Sequence, residues 1–223
     1  MRILNSLLPT SIGKKQLVAL SGLAISGFTA IHMSGNLLMF LGPEAYNSYG
    51  HQMTHSPIYY PIEAGLITVF AIHLWVALRL NWENKKARPV KPYQLATSPG
   101  RRASFASRSM VYTGLLLLVF LVLHLITFRF GTYYPVSYHG VEMRDLYRLA
   151  VEKFHDPVYI AWYLFSMVIL GIHLSHGIAS TFQTLGFSSV KRIPVRNLGW
   201  TFAAVVALGF CSQPIYIFLS GGK

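Results

Sequence analysis

Five apolar runs divide this chain, at roughly 15–41, 58–82, 109–130, 157–183 and 198–220, with polar connections between them. A helix needs about 20 mostly apolar residues to cross the hydrocarbon core of a bilayer, and each run is long enough. The pattern predicts an all-α membrane protein: one integral domain over residues 1–223 with five transmembrane helices. The breaks carry turn chemistry. Gly42-Pro43 ends the first run, Pro61 sits in the first turn of the second, where proline is tolerated, Gly186 ends the fourth, and Pro214 lies near the far end of the fifth. Segment 44–57, with Tyr46, Tyr49, His51 and His55, reads as an interfacial stretch with aromatic anchors. YHGVEMRDLYRLAVEKFHD, after the third run, predicts a short amphipathic helix outside the bilayer. Met1–Gly13 is short and no small-residue cleavage pattern follows it, so no signal peptide is expected and the first helix is expected to be retained.

Composition agrees with this reading. The chain is 53% hydrophobic and 12% charged, against about 25% charged in soluble domains. The one cysteine, Cys211, lies in the fifth run. It rules out an intrachain disulfide and an iron–sulfur cluster held by this chain alone, since such clusters take four cysteines. It reads as a small packed residue.

The net charge of +12 would suit nucleic acid, but its distribution argues against that partner. Arg2, Lys14 and Lys15 precede the first run. Lys85, Lys86, Arg88, Lys91, Arg101, Arg102 and Arg108 lie between the second and third, and Lys191, Arg192 and Arg196 between the fourth and fifth. The first connection has no Lys or Arg. The third offsets Arg144, Arg148 and Lys153 with Glu142, Asp145, Glu152 and Asp156. This alternation follows the positive-inside rule. It predicts a cytoplasmic N-terminus and cytoplasmic second and fourth connections, with membrane lipid around the rest. The basic second connection is also a candidate docking surface for a cytoplasmic partner.

Ionisable side chains are costly in a bilayer and by default mark function there. Of nine histidines, five lie in the runs: His32, His73, His124, His173 and His176. Each of the first four helices holds at least one, and the fifth holds none. At a rise of about 1.5 Å per residue, His32 and His124 lie roughly 14 and 9 Å from the outer end. On the same scale His73 and His173 lie roughly 22 and 24 Å down. Two layers result: His32 with His124 outside, His73 with His173 inside. Two imidazoles at one depth on facing helices suit the two axial positions of a haem, and two layers suit two stacked b haems in a bundle of the first four helices. With both axial positions filled, no site is open to oxygen and the chemistry is electron transfer. Small neighbours offer room for a ring: Ser34 and Gly35 near His32, Gly171 and Ser175 near His173. An internal echo supports the pairing: Ser21-Gly22 precedes His32 as Thr113-Gly114 precedes His124, which suggests that helices one and three present their outer sites alike.

Other readings compete. A lone intramembrane histidine is often a hydrogen-bonded core residue. His173 and His176 form an HxxH pair, but divalent transport sites usually add carboxylates, and the apolar cores of helices one, three and four have none. His176 could replace His173 as ligand, or contact a haem propionate, a quinone or another helix. Glu63 reads either as an interfacial carboxylate or as a proton donor and acceptor for quinone near the outer haem. His51, His55, His139 and His155 read as surface residues.

TAIHMSGNLLMF with EAYNSYGHQMTHSPIYYPIE, FAIHLWVAL, LVLHLITF and GIHLSHGIASTFQTLG together resemble the five-helix, di-haem cytochrome b anchor of succinate:quinone oxidoreductases, the succinate dehydrogenases and quinol:fumarate reductases. The resemblance covers nearly the whole chain. It implies His32, His124, His73 and His173 as haem iron ligands, paired first with third helix and second with fourth. It implies Glu63 at an acidic position found in some relatives and His176 at a polar, non-ligand one. Some fumarate reductases carry a glutamate beside the fourth-helix ligand; here those positions are Gly171 and Ile172. The resemblance further implies a heterotrimer, open to dimerisation, in a bacterial cytoplasmic membrane. A flavoprotein subunit would handle succinate or fumarate in the cytoplasm. An iron–sulfur subunit would relay electrons to this chain, and quinone, most simply menaquinone, would react near the outer face. Rival readings are the cytochrome b anchor of another quinone-linked dehydrogenase or hydrogenase, a metal transporter, and a scaffold whose haems are structural.

Overall fold

The structure, a computed structural model, describes residues 10–86, 105–187 and 195–221. Helix α1 (Ser11–Asn36) starts at Thr10, whose hydroxyl accepts the Gly13 amide at 3.0 Å. That bond satisfies one of the amides a helix start leaves free. A 3-10 turn, Leu37–Leu41, carries the chain to Gly42, whose φ of 99° is open to glycine. Pro43 then begins helix α2 (Pro43–His55). Gly42-Pro43 therefore both ends the first span and starts a helix, so the segment read as interfacial is helical.

Helix α3 (Tyr59–Lys86) follows, then α4 (Phe105–His124). Directly after His124 the coil widens into one π-helical turn, Leu125–Arg129, closed by the Phe130 amide on the Leu125 carbonyl at 2.9 Å. Strands β1 (Pro135–Tyr138) and β2 (Val141–Arg144) pair antiparallel, Pro135 opposite Arg144 and Tyr138 opposite Val141. Their turn, His139-Gly140, has φ of 52° and 78°, the signs a tight two-residue hairpin demands. The Arg144 guanidinium donates to the carbonyls of Phe128 (2.8 Å), Gly131 (2.9 Å) and Thr132 (3.0 Å), pinning the hairpin to the end of α4. Helix α5 (Leu146–Phe154) is capped by Asp145, α6 (Pro157–Thr184) by Asp156, and α7 (Val195–Ser220) closes the chain.

Five helical spans are long and apolar enough to cross a membrane: Ser11–Leu41, Tyr59–Lys86, Ser109–Arg129, Pro157–Thr184 and Val195–Ser220. The shortest, 21 residues, reaches about 31 Å, close to the thickness of a bilayer core of about 30 Å. The others are longer, which tilt or emergence into the headgroups absorbs. The architecture is that of an integral membrane protein.

Two features differ from the sequence expectation. An all-α chain would have no strand, yet the third connection opens with a hairpin before the expected amphipathic helix, α5. The signal was Tyr138-His139-Gly140-Val141, a two-residue turn between β-formers. The second concerns packing. The closest helix pair is α6 with α7, and α1 lies across both. Helix α3 rests on α1, α4 leans on α6, and α3 and α4 barely touch. So α7 belongs to the packed centre, which includes Met33, Met167, Leu174, Ala203, Val206, Phe210 and Ile217. The reason is its small-residue face. In lipid, association depends on close approach rather than on hydrophobicity, and a Cβ on Gly199 would come 2.4 Å from the Ser175 carbonyl oxygen. Pro214 lies inside α7, and one turn before it the Ser212 and Gln213 side chains bond the Gly209 carbonyl at 2.7 and 3.0 Å.

The two ends of the helix bundle are unlike. At one, α2, the hairpin and α5 form a polar cap. At the other, Lys14 is buried and paired with Glu83, which also accepts from Arg79 at 3.0 Å. Lys85 and Lys86 end α3 there and Arg196 lies in the first turn of α7. Arg2, Arg88, Lys91, Arg101, Arg102, Lys191 and Arg192, and the side chain of Arg108, lie outside the described residues.

Candidate functional site

Histidines from four helices lie at two levels. The first lies toward the capped end. His32 of α1 and His124 of α4 have ring centroids 5.9 Å apart, with planes at 82°. Phe28 stacks on His32 one turn away at 5.5 Å and 9°. Asn36 sits over the same ring, its amide donating to the His32 carbonyl at 2.8 Å while its oxygen accepts from Tyr46 at 2.8 Å. His124 Nδ1 lies 3.0 Å from the hydroxyl of buried Tyr163 on α6. Phe120, Phe128 and Phe154 surround that tyrosine. Phe210 of α7 comes within 5.8 Å of His32.

The second pair lies toward the basic end. His73 of α3 packs on α1, with Nδ1 3.1 Å from the Ser21 hydroxyl. His173 of α6 packs on α4, with Nδ1 3.0 Å from the Thr113 hydroxyl. His73 and His173 thus sit at the level of Ser21 and Thr113.

The helical rise accounts for both levels. Eleven residues, about three turns, separate Ser21 from His32 and Thr113 from His124. Each helix therefore carries both groups on one stripe, about 16 Å apart along its axis. The repeated Ser/Thr-Gly pair, read from sequence as an outer-site feature, receives the second histidine pair instead. The small residues also serve differently. Tyr49 of α2 covers Gly35, whose Cβ would lie 2.6 Å from that ring, and Gly171 faces Ala207 of α7.

The remaining candidates are accounted for as follows. Glu63 accepts from Arg129 at 3.0 Å and from Tyr59 at 3.3 Å. It is a paired carboxylate near the capped end of α3. His176 is partly buried and makes no side-chain hydrogen bond among the described residues. His51 and His55 stack at 3.8 Å on α2, His139 bonds Glu44 at 2.8 Å, and His155 bonds the Val151 carbonyl at 2.6 Å. All four lie on the capped end. Cys211 is half-buried beside the packed centre.

No known family, curated protein or solved structure matches this chain. The arrangement must therefore speak through its chemistry. Among the described residues, no three His, Cys, Asp or Glu side chains gather as a metal-ligand cluster. What the helices offer is two imidazoles at a time. With metal–imidazole bonds of about 2 Å, two rings on one axis through a metal have centroids about 6 Å apart, which fits the His32–His124 spacing. Sequence reasoning missed Tyr163, because a tyrosine in an apolar span is ordinary, and it missed Arg129 as the partner of Glu63.

Proposed function

We propose that this chain is the membrane anchor and electron-transfer subunit of a succinate:quinone oxidoreductase, holding two haem b groups. The observation that carries the reading is the placement of histidines from four spans at two levels: His32 beside His124, and His73 and His173 at the level of Ser21 and Thr113. Haem b so ligated supplies one-electron chemistry at an iron with no position open to oxygen. His32 and His124 would hold the group nearer the capped end, and His73 and His173 the one nearer the basic end. Aromatic side chains around His124 would exclude water from that level. His176, beside His173 on α6, is a candidate contact for a propionate or a quinone.

The basic end would face the cytoplasm. There Lys85, Lys86 and Arg196 offer cations to an iron–sulfur subunit, which in turn would carry the flavoprotein with the dicarboxylate site. Quinone, with menaquinone the favoured type, would react toward the capped end. Glu63 can exchange a proton with it only when its bond to Arg129 opens, since a carboxylate held by a guanidinium favours its charged form.

Purified with its partners, the full chain is expected to show two low-spin b haems in optical and EPR spectra, both reduced by succinate. His124→Ala should lose one haem and keep the other. A colourless wild-type protein, or a His124→Ala variant with both haems, would refute the reading. Haem reduction by hydrogen or formate, but not by succinate, would move the chain to a different quinone-linked enzyme.

A further inference from the structure

We propose that Ser21 and Thr113 are positioning residues for the His73–His173 pair: each accepts the Nδ1 proton of one imidazole, which leaves that ring's Nε2 lone pair for a metal. The proposal rests on the two-haem reading above and adds to it what orients one ligand pair.

The argument runs through hydroxyl protons. The Ser21 hydroxyl donates its one proton within α1, to the Leu17 carbonyl at 2.6 Å with Val18 at 3.2 Å. In this proposal the Thr113 hydroxyl donates likewise within α4, to the Ser109 and Met110 carbonyls, both at 3.1 Å. Each oxygen is then left only as an acceptor toward its histidine. A neutral imidazole facing an acceptor through Nδ1 must carry its proton there. Its Nε2 is consequently unprotonated, the form a metal binds.

A glycine lies beside each contact. A Cβ on Gly22 would crowd His73 Cε1 at 3.1 Å, and one on Gly114 would meet His173 Cε1 at an ordinary 3.4 Å. Serine and threonine often bond back to their own helix without further role. That habit does not explain a second bond to an imidazole from another helix, at near-equal distance, beside a glycine, on both helices. Helices α1 and α4 thus carry one device twice: a hydroxyl and a glycine that seat a histidine from another helix, and, three turns on, a histidine of their own.

Outer partners of this kind fix ring orientation and raise ligand basicity, and their loss typically costs a metal site 10–100-fold. A more basic imidazole favours the oxidised metal. Replacing Ser21 by Ala or Thr113 by Val should therefore weaken the ferric preference of one haem only. A tenfold change corresponds to a rise of about 59 mV in a one-electron potential. His124 is held by Tyr163 instead, so the other haem is an internal control.

The experiment is a redox titration with EPR on the full complex in its native membrane. Ser21→Ala and Thr113→Val are compared with the conservative Ser21→Thr and Thr113→Ser. The expected result is an upward shift of one haem potential by about 59 mV or more, with altered g values for that haem. The second haem should stay unmoved, and the hydroxyl-bearing variants should restore the wild-type values. Loss of a single haem in Ser21→Ala or Thr113→Val, but not in the conservative variants, also supports the proposal. Two haems with unmoved potentials in all four variants would overturn it while leaving the two-haem reading intact. So would equal shifts in the conservative variants, which would point to packing. Wild-type protein without haem would overturn both.

Discussion

Asn47 is fully buried although it is polar. Its amide donates to Asp145 at 2.9 Å and its oxygen accepts the Tyr147 amide at 2.9 Å, which locks α2 to the start of α5. Asp145 also accepts the Arg148 amide at 2.9 Å, so the two side chains together satisfy amides in the first turn of α5. Asn47→Leu removes both of these buried bonds and should cost about 1–3 kcal/mol. A thermal melt in detergent checks this, and an unchanged midpoint would show that the cap does not depend on the bond. Tyr163→Phe removes the hydroxyl set against His124 Nδ1 while keeping the ring among Phe120, Phe128 and Phe154. It should perturb the spectrum of the haem proposed for His32 and His124 with little change in the melt. An EPR signal identical to wild type would separate Tyr163 from that site. The five intramembrane histidines were legible because an ionisable group stands out in an apolar run. Tyr163, Ser21 and Thr113 were not, because uncharged hydroxyls are common in such helices and only their partners give them a role.

At the scale of elements, three-turn spacing on α1 and α4 puts a hydroxyl and a histidine on one stripe, and the antiparallel neighbours α3 and α6 bring histidines to the hydroxyl level. Depth along a straight helix follows from residue number, so the two levels could be read without a structure. The π-helical turn after His124 could not. It widens the coil where α4 meets the cap, and such turns often mark functional sites. Gly131 terminates it, and a Cβ there would lie 1.8 Å from the Thr127 carbonyl oxygen. Gly131→Ala should therefore force the turn to rearrange, lowering stability and disturbing the haem proposed beside His124. A wild-type spectrum and melt would contradict that. Gly199→Ala drives a methyl against the Ser175 backbone, which overpacking precedents put at about 1–3 kcal/mol. A reduced melting midpoint or yield is the expected readout.

Over the whole molecule, one end is basic and the other is a polar cap, and the proposed orientation rests on that asymmetry. In a Cys211→Ser background, Thr54→Cys on α2 should react with a membrane-impermeant thiol reagent in intact spheroplasts. Lys86→Cys at the end of α3 should react only after permeabilisation. Labelling of both from one side would contradict the five-span crossing, and the reverse pattern would invert the proposed sidedness.

The amino-acid sequence alone determined the number of spans, the alternation of basic connections and the two histidine levels. Each of these depends only on position along a chain with a fixed helical rise and on the cost of charge in hydrocarbon. Tertiary structure decided which helices touch. Between apolar helices in lipid, neighbours are chosen by how closely small faces fit, and no periodicity reports that fit. This is why α7 turned out central rather than peripheral, and why the Ser/Thr-Gly pairs receive His73 and His173. The hairpin, too, is held by Arg144 bonding the end of α4, a contact between segments that only the folded chain brings together.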